Sequence, residues 1–342
     1  MNRLIEIKDL EIGFKTYGGE VQAVRGVSFH LDEGECIGIV GESGCGKSVT
    51  AKAILKLIPT PPGRIKNGNI IFGDKDIISF TKKQIRPIRG AEISMIFQDP
   101  MTSLNPTMTI ERQIGEVIIK HQRAERNQMY GRILEIMKLV GIPNPEKRVK
   151  QYPHEFSGGM RQRVMIAIAM ACNPKLLIAD EPTTALDVTI QAQILDLMKE
   201  LQTKFNTSIM LITHDLGVVA NMAQRVLVFY AGKIVESASC EEIFSNPRHP
   251  YTLGLLRSMP RVDSESKEML ASIEGAPPDL FKPPVGCSFV PRCEHAMKIC
   301  MMAEPPIILI NEAHGAACWL QHEKIPKDKQ LSIAREANYG KR

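Results

Sequence analysis

The sequence predicts an α/β fold, in which short apolar strands end in polar residues and lead into loops and helices. Three observations predict it. Cys36 to Val40 (CIGIV) is a strand-sized apolar run that passes through a glycine-rich turn into Val49 to Leu57, a stretch free of Gly and Pro with helical character. Three further apolar runs end at Gln98, at Asp180-Glu181 and at His214. Between the first and second of these, residues 109–121 and 128–140 carry helical spacing (Ile110, Ile114, Val117, Ile118; Ile133, Ile136, Met137, Val140).

Taken in order, residues 4–31 read as strands. In Val27-Ser28-Phe29-His30-Leu31 the apolar residues alternate strictly, and Asp32-Glu33-Gly34-Glu35 supplies the turn that follows. Phe14 and Tyr17 are upstream aromatics whose ordinary fate is packing, although either could stack on an adenine. The turn after Val40, Gly41-Glu42-Ser43-Gly44-Cys45-Gly46-Lys47-Ser48, matches the phosphate-cradling pattern G-x4-G-K-[ST] in the strand–loop–helix context that pattern requires. Glycines let backbone N–H groups turn onto phosphate oxygens, and the helix start adds its partial positive charge. Lys47 is expected to reach the β- and γ-phosphates and Ser48 to ligate Mg2+. Gly41, Ser43, Gly44, Cys45, Gly46, Lys47, Ser48 and Val49 are thus the candidate residues for a nucleoside triphosphate.

Pro59-Thr60-Pro61-Pro62-Gly63 must be a loop, because prolines deny it helix and strand. Gly68 to Gly73 reads as another strand, and Ile93 to Phe97 as a buried strand ending at Gln98. Asp99-Pro100 and Asn105-Pro106 then break the chain, Gly141-Ile142-Pro143-Asn144-Pro145 closes the second of the two helices, and about 60 residues of helix are thus inserted between two strand-rich halves. Phe156-Ser157-Gly158-Gly159-Met160-Arg161-Gln162-Arg163 opens a long apolar helix running to Cys172. A Ser and two glycines at a helix start leave N–H groups free for a phosphate, and equally make an ordinary N-cap. Leu176 to Asp180 is an apolar strand, neighbouring the phosphate loop, that ends in adjacent carboxylates. Asp180 there would hold Mg2+, and Glu181 would polarise the attacking water as general base. Thr207 to Thr213 forms a last strand ending at His214.

The bulk numbers fit this picture. A chain of 342 residues, 44% hydrophobic and 24% charged, is an ordinary globular composition with room for two or three structural units. The longest apolar runs are strand-sized, and the charged N-terminus lacks the core of a signal peptide. The net charge of +5 is mild over this length and does not argue for a nucleic-acid partner, which would need a concentrated basic patch. In the reducing compartment this implies, the eight cysteines are expected as thiols or metal ligands.

The order phosphate loop, Gln98, Ser157-Gly158-Gly159, Asp180-Glu181, Asp187, His214 resembles the nucleotide-binding domain of ATP-binding-cassette (ABC) transporters over roughly residues 3–235. Phe156 and Met160 depart from that family's LSGGQ signature. The resemblance implies a P-loop NTPase core with a mixed sheet, spanning 1–238, with an α-helical subdomain inserted at about 99–163. It further implies a head-to-tail dimer holding two ATP molecules, each between one copy's phosphate loop and the other's Ser157, Gly158 and Gly159. On the same basis Gln98 senses Mg2+ and water, His214 contacts the γ-phosphate, Asp187 reaches across the interface and Phe14 is the adenine-stacking aromatic.

The stretches GESGCGKS, IFQDPMTSLNP, HEFSGGMRQRVMIA and DEPTTALDVT resemble the ATP-binding subunits of bacterial dipeptide and oligopeptide importers and their nickel-importing relatives. Asn246 to Thr252 resembles the His-Pro-Tyr segment that opens their C-terminal extension, here 239–342. That resemblance implies an ATPase on the cytoplasmic face of the inner membrane, with two transmembrane permeases, a second ATPase (a related chain or itself) and an extracytoplasmic solute-binding protein as partners. A nickel or other small-solute importer, and a soluble ABC ATPase acting on DNA or ribosomes, are the alternatives. Cys287, Cys293, Cys300 and Cys318, spaced C-x5-C-x6-C-x17-C amid prolines and polar residues, suit an Fe–S cluster or structural Zn2+. The spacing is similar to the four-cysteine [4Fe–4S] motif of peptide-importer ATPases. His295 and His314 within that segment could substitute as ligands, although the ordinary fate of each is solvent. Cys36, Cys172 and Cys240 read as packing, and Cys45 as a thiol open to alkylation.

Overall fold

The computed structural model describes residues 2–99, 103–122, 126–184, 186–259 and 273–326. Pro100 to Thr102 and Ala185, parts of two stretches quoted above, lie outside the described residues, as do 260–272 and 327–342 of the C-terminal extension.

Strands β1 (Arg3–Thr16) and β2 (Gly19–Asp32) form a long antiparallel hairpin. β3 (Cys36–Val40) leads into helix α1 (Lys47–Ile54), after which β4 (Gly63–Phe72) and β5 (Lys75–Asp76) complete a four-stranded antiparallel sheet in the order β2-β1-β4-β5. A short helix α2 (Lys82–Ile85) precedes β6 (Ile93–Ile96). The helical insertion then comprises α3 (Ile110–Gln122), α4 (Arg126–Leu139) and α5 (Pro145–Arg148). Helix α6 (Gly158–Met170) returns the chain to β7 (Leu176–Asp180), followed by α7 (Val188–Phe205), β8 (Ser208–Ile212), α8 (Leu216–Met222), β9 (Arg225–Tyr230) and β10 (Lys233–Ser239). The extension adds α9 (Cys240–Ser245), α10 (Pro250–Arg257), α11 (Lys298–Met302), β11 (Ile308–Asn311) and β12 (His314–Ala316).

The second sheet has the order β11-β12-β10-β9-β3-β8-β7-β6. β9, β3, β8, β7 and β6 are parallel, and the β10, β12 and β11 edge is antiparallel, so the sheet is mixed as expected. Alternation of side chains along a strand divides its core in two. Ile37, Ile39, Ile178, Met210 and Ile212 face α1 and the antiparallel sheet. Cys36, Val40, Leu177, Ala179, Ile209 and Leu211 face the helices of the other layer. Strands buried on both faces are what parallel sheets require, and they explain the unbroken apolar runs of the sequence.

Ile110, Ile114 and Ile118, one above another on α3, are fully buried with Ile133, Ile136 and Met137 of α4. Burying each such side chain contributes about 2–3 kcal/mol, and this seam packs the insertion onto α6.

β7 neighbours the phosphate loop but not its strand, because β8 lies between β7 and β3. One expectation changes. The strand ending at Gln98 stops at Ile96, and Phe97 is exposed, since it stands beyond the last residue pairing with β7. The extension is joined to the cassette's sheet: β12 pairs with β10, Glu236 opposite Ala316 and Ser237 opposite Gly315. Among the described residues, no helix is long and apolar enough to cross a membrane.

Candidate active site

Parallel strands aim their carboxyl ends at one edge of the sheet, and a ligand belongs where those ends meet. β3, β6, β7 and β8 end there in the phosphate loop, Gln98, Asp180-Glu181 and His214. Ile39, Ile212 and Asp180 lie in one row across β3, β8 and β7, which brings Asp180 level with the loop.

The phosphate loop is folded by backbone constraints that only glycine meets. Gly46, at the N-cap of α1, has φ 101°. A Cβ there would come within 2.5 Å of the Ala23 carbonyl oxygen. The Lys47 ammonium is buried and donates to the carbonyls of Gly41 (2.6 Å) and Glu42 (2.9 Å). Ser43 and Gly44 form the exposed tip, and Val49 is half-buried one turn into α1. Cys45, expected to be open, is buried. Burial pushes its thiol up despite the Lys47 charge, with the ammonium 3.7 Å from the sulfur. It is therefore a poor target for alkylation.

Ser48 Oγ donates to Asp180 Oδ1 at 2.8 Å. Burial pushes the Asp180 carboxyl up, against the Ser48 hydrogen bond and the charge of Lys52. Two hard oxygen donors in contact, one of them a desolvated carboxylate, fit a hard divalent cation such as Mg2+.

Glu181 carries the densest set of contacts. Its Oε2 accepts from Gln98 Nε2 (2.9 Å) and from Thr184 Oγ1 (3.0 Å), and its Oε1 lies 3.3 Å from His214 Nδ1. The residue has φ 51°, an uncommon conformation for a side chain other than Gly. It is held there by a further ladder bond from its N–H to the Ile212 carbonyl at 2.8 Å. Lys47, Ser48, Asp180, Glu181, Gln98 and His214 thus stand together at one edge of the sheet.

Ser157, Gly158, Gly159 and Asp187 gather elsewhere. Ser157 caps α6 by accepting from the Met160 N–H, and Asp187 caps α7 by accepting from the Ile190 N–H at 2.9 Å. Gly159 abuts Ile190, so the starts of α6 and α7 stand together, with Ser157, Gly158 and Asp187 exposed. Phe14 is half-buried on β1 opposite Val21, beside Gly63 and two residues along β2 from Ala23. Tyr17 is exposed at the hairpin turn.

The expected four-cysteine metal site is not shown. Among the described residues, no group of three or more His, Cys, Asp or Glu side chains has metal-holding geometry. Cys287, Cys293, Cys300 and Cys318 do line one cavity, with free space of about 20 Å3, room for about one water. The donor type fits a soft metal, but the spacing fits no single ion and the space fits no cluster without movement of the thiols. They are also less exposed than expected: Cys300 and Cys318 are buried and the other two half-buried. Burial pushes Cys293 up to about 11 and raises Cys287 and Cys318. His314, expected in solvent, is fully buried, with Nε2 2.8 Å from Glu236 and Nδ1 3.1 Å from Glu242.

Comparison with known proteins decides the family. The profile described as ABC transporter matches residues 24–184, and that described as oligopeptide/dipeptide transporter, C-terminal region, matches 235–300. The oligopeptide transport ATP-binding protein OppD of Bacillus subtilis is 61% identical over 327 residues, covering 96% of this chain and 91% of its own. The chain belongs to the oligopeptide/dipeptide ABC transporter family of ATP-binding proteins. Other members are the dipeptide transport ATP-binding protein DppD of Bacillus subtilis, 53% identical over 95% of this chain and 96% of its own, and OppD of Salmonella typhimurium, 50% identical over 95% and 96%. Among solved structures, the cassette MJ0796 in a dimeric post-hydrolysis state bound to ADP and Pi matches with TM-score 0.62 at 26% identity, covering 69% of this chain and 98% of that one. The cassette is a P-loop ABC ATPase with a mixed sheet.

Three residues at this site were given no role from the sequence: Glu42, a variable position of the phosphate-loop pattern, Tyr251 of the His-Pro-Tyr segment, and Arg292, which lies in no motif. Tyr251, in the His-Pro-Tyr segment, is fully buried, and its hydroxyl accepts from the Glu42 N–H at 2.9 Å. Arg292 pairs with the Glu42 carboxylate at 2.7 and 2.8 Å.

Proposed function

We propose that this chain is the ATP-hydrolysing subunit of an importer for dipeptides or oligopeptides. The observation that carries it is the convergence of the phosphate loop, Asp180, Glu181, Gln98 and His214 on one sheet edge, in a chain 61% identical to an oligopeptide transport ATP-binding protein. The loop's N–H groups and Lys47 hold the phosphates, while Ser48, Asp180 and Gln98 hold Mg2+, which neutralises phosphate charge. Glu181 orients and deprotonates the attacking water, and His214 donates toward the γ-phosphate. Ser157, Gly158 and Asp187, which are exposed, and half-buried Gly159 beside them, apart from the loop of their own chain, serve the nucleotide of a second subunit placed head-to-tail, and Phe14 stacks on the adenine.

The partners are two transmembrane permeases, a second ATPase (a related chain or a second copy) and an extracytoplasmic solute-binding protein, with this subunit on the cytoplasmic face of the bacterial cell membrane. The cassette is 1–238 with its helical subdomain at about 99–163, and 239–342 is the extension. The four cysteines of the extension are the ligands of a soft metal, a [4Fe–4S] cluster that their thiols must move apart to admit; the support is four thiols around one cavity. Anaerobically purified chain is expected to carry about four iron and four sulfide. Zinc alone, or no metal, overturns the cluster. For the transport function, cells carrying Lys47→Ala should lose uptake of labelled peptide; unchanged uptake overturns it.

A further inference from the structure

We infer that Arg292, in the C-terminal extension, is a positioning residue for the phosphate loop that acts by holding and compensating the Glu42 carboxylate, whose charge otherwise opposes the nucleotide; this rests on the nucleotide site proposed above. Arg292 has five N–H donors and all are engaged. Nη1 donates to Glu42 Oε2 (2.7 Å) and Tyr230 Oη (3.3 Å), Nη2 to Glu42 Oε1 (2.8 Å) and the Ile273 carbonyl (3.1 Å), and Nε to the Glu274 carbonyl (3.0 Å). Its side chain is 4% exposed. The guanidinium also lies 5.8 Å from the Tyr230 ring and 6.0 Å from the Phe289 ring. A buried, bidentate, fully satisfied arginine fixes its carboxylate in orientation as well as in charge.

Glu42 is the junction. Its carbonyl accepts from Lys47 Nζ at 2.9 Å, its N–H donates to Tyr251 Oη at 2.9 Å, and its carboxylate is held by Arg292. One residue of the loop therefore ties the phosphate-binding lysine to two anchors more than 200 positions away. A carboxylate beside a site for a polyanion opposes binding unless its charge is compensated, and Arg292 is the compensating group. Arg292 adjoins Cys293, so the turn that anchors the loop also borders the cysteine-lined cavity.

The test is MgADP binding to the full chain by titration calorimetry, with Arg292→Gln, Glu42→Gln and the double variant. Arg292→Gln leaves Glu42 uncompensated and is expected to weaken binding about tenfold, an effect that shrinks as salt rises. Glu42→Gln removes the opposing charge and is expected to bind no more weakly than wild type. The double variant is expected to recover most of what Arg292→Gln loses. A merely structural clamp is broken by all three, so equal weakening in Glu42→Gln and Arg292→Gln, or no recovery in the double variant, overturns the inference. Should Arg292→Gln fail to fold, Glu42→Gln alone decides: binding weaker than wild type overturns the inference. Wild-type chain that binds no MgADP sinks the nucleotide site itself; wild-type binding with Arg292→Gln unchanged sinks only the role of Arg292.

Discussion

Replacing Glu181 by Gln isolates the chemistry of one group from the shape of the site. Gln occupies nearly the same volume, so the left-handed backbone at φ 51° and the Glu181–Ile212 ladder bond persist. Oriented with its oxygen toward Gln98 Nε2 and Thr184 Oγ1, it keeps both acceptor contacts, and its amide faces His214 Nδ1. Trading charged for neutral hydrogen bonds at this partly exposed site costs about 1 kcal/mol of stability, too little to unfold the chain. What is lost is a base. A positioned general base contributes about 10²- to 10⁴-fold, or about 2.7–5.4 kcal/mol of barrier. Single-turnover hydrolysis of ATP by Glu181→Gln should therefore fall at least tenfold and toward that range, with the dissociation constant for MgATP within about threefold of wild type. Turnover within about threefold of wild type would refute the assignment of Glu181 as base. Equal loss of binding and hydrolysis would refute the claim that its contacts survive the substitution.

Other expectations concern the scaffold of the site. At Gly41, with φ 148°, a Cβ would lie 2.2 Å from the Phe229 carbonyl oxygen; Gly41→Ala should lower stability by about 3 kcal/mol, read from the urea midpoint. His249 is buried with Nδ1 accepting from the Tyr251 N–H at 3.1 Å, and burial lowers its pKa from 6.5 to about 4. Folding thus favours its neutral ring, so its contribution is full above pH 6.5 and falls by about 2 kcal/mol as pH drops from 7 to 5. His314 runs the other way: burial lowers its pKa, but Glu236 and Glu242 outweigh that and raise it. Its contribution is full below 6.5 and fades as pH rises through the higher folded value. Histidine NMR at pH 5–7 should show His249 uncharged and His314 charged at pH 6; a His249 that titrates near 6.5 removes the first expectation.

By itself the sequence determined the chemistry of the cassette. Gly41 to Ser48, Asp180-Glu181 and Ser157-Gly158-Gly159 are local patterns, and a phosphate cradle or a strand-end carboxylate is made by residues a few positions apart. The helical insertion was equally legible, because Ile110, Ile114 and Ile118 repeat at the period of the helix they build. Tertiary structure alone decided the strand order that puts β8 between β3 and β7, since strand neighbours depend on crossovers that leave no local trace. It alone decided that Cys45 and His314 are buried, and that Tyr251 and Arg292 return across the whole chain to Glu42. Contacts of that separation are made by packing, in which a buried charge must find its partner wherever the fold supplies one.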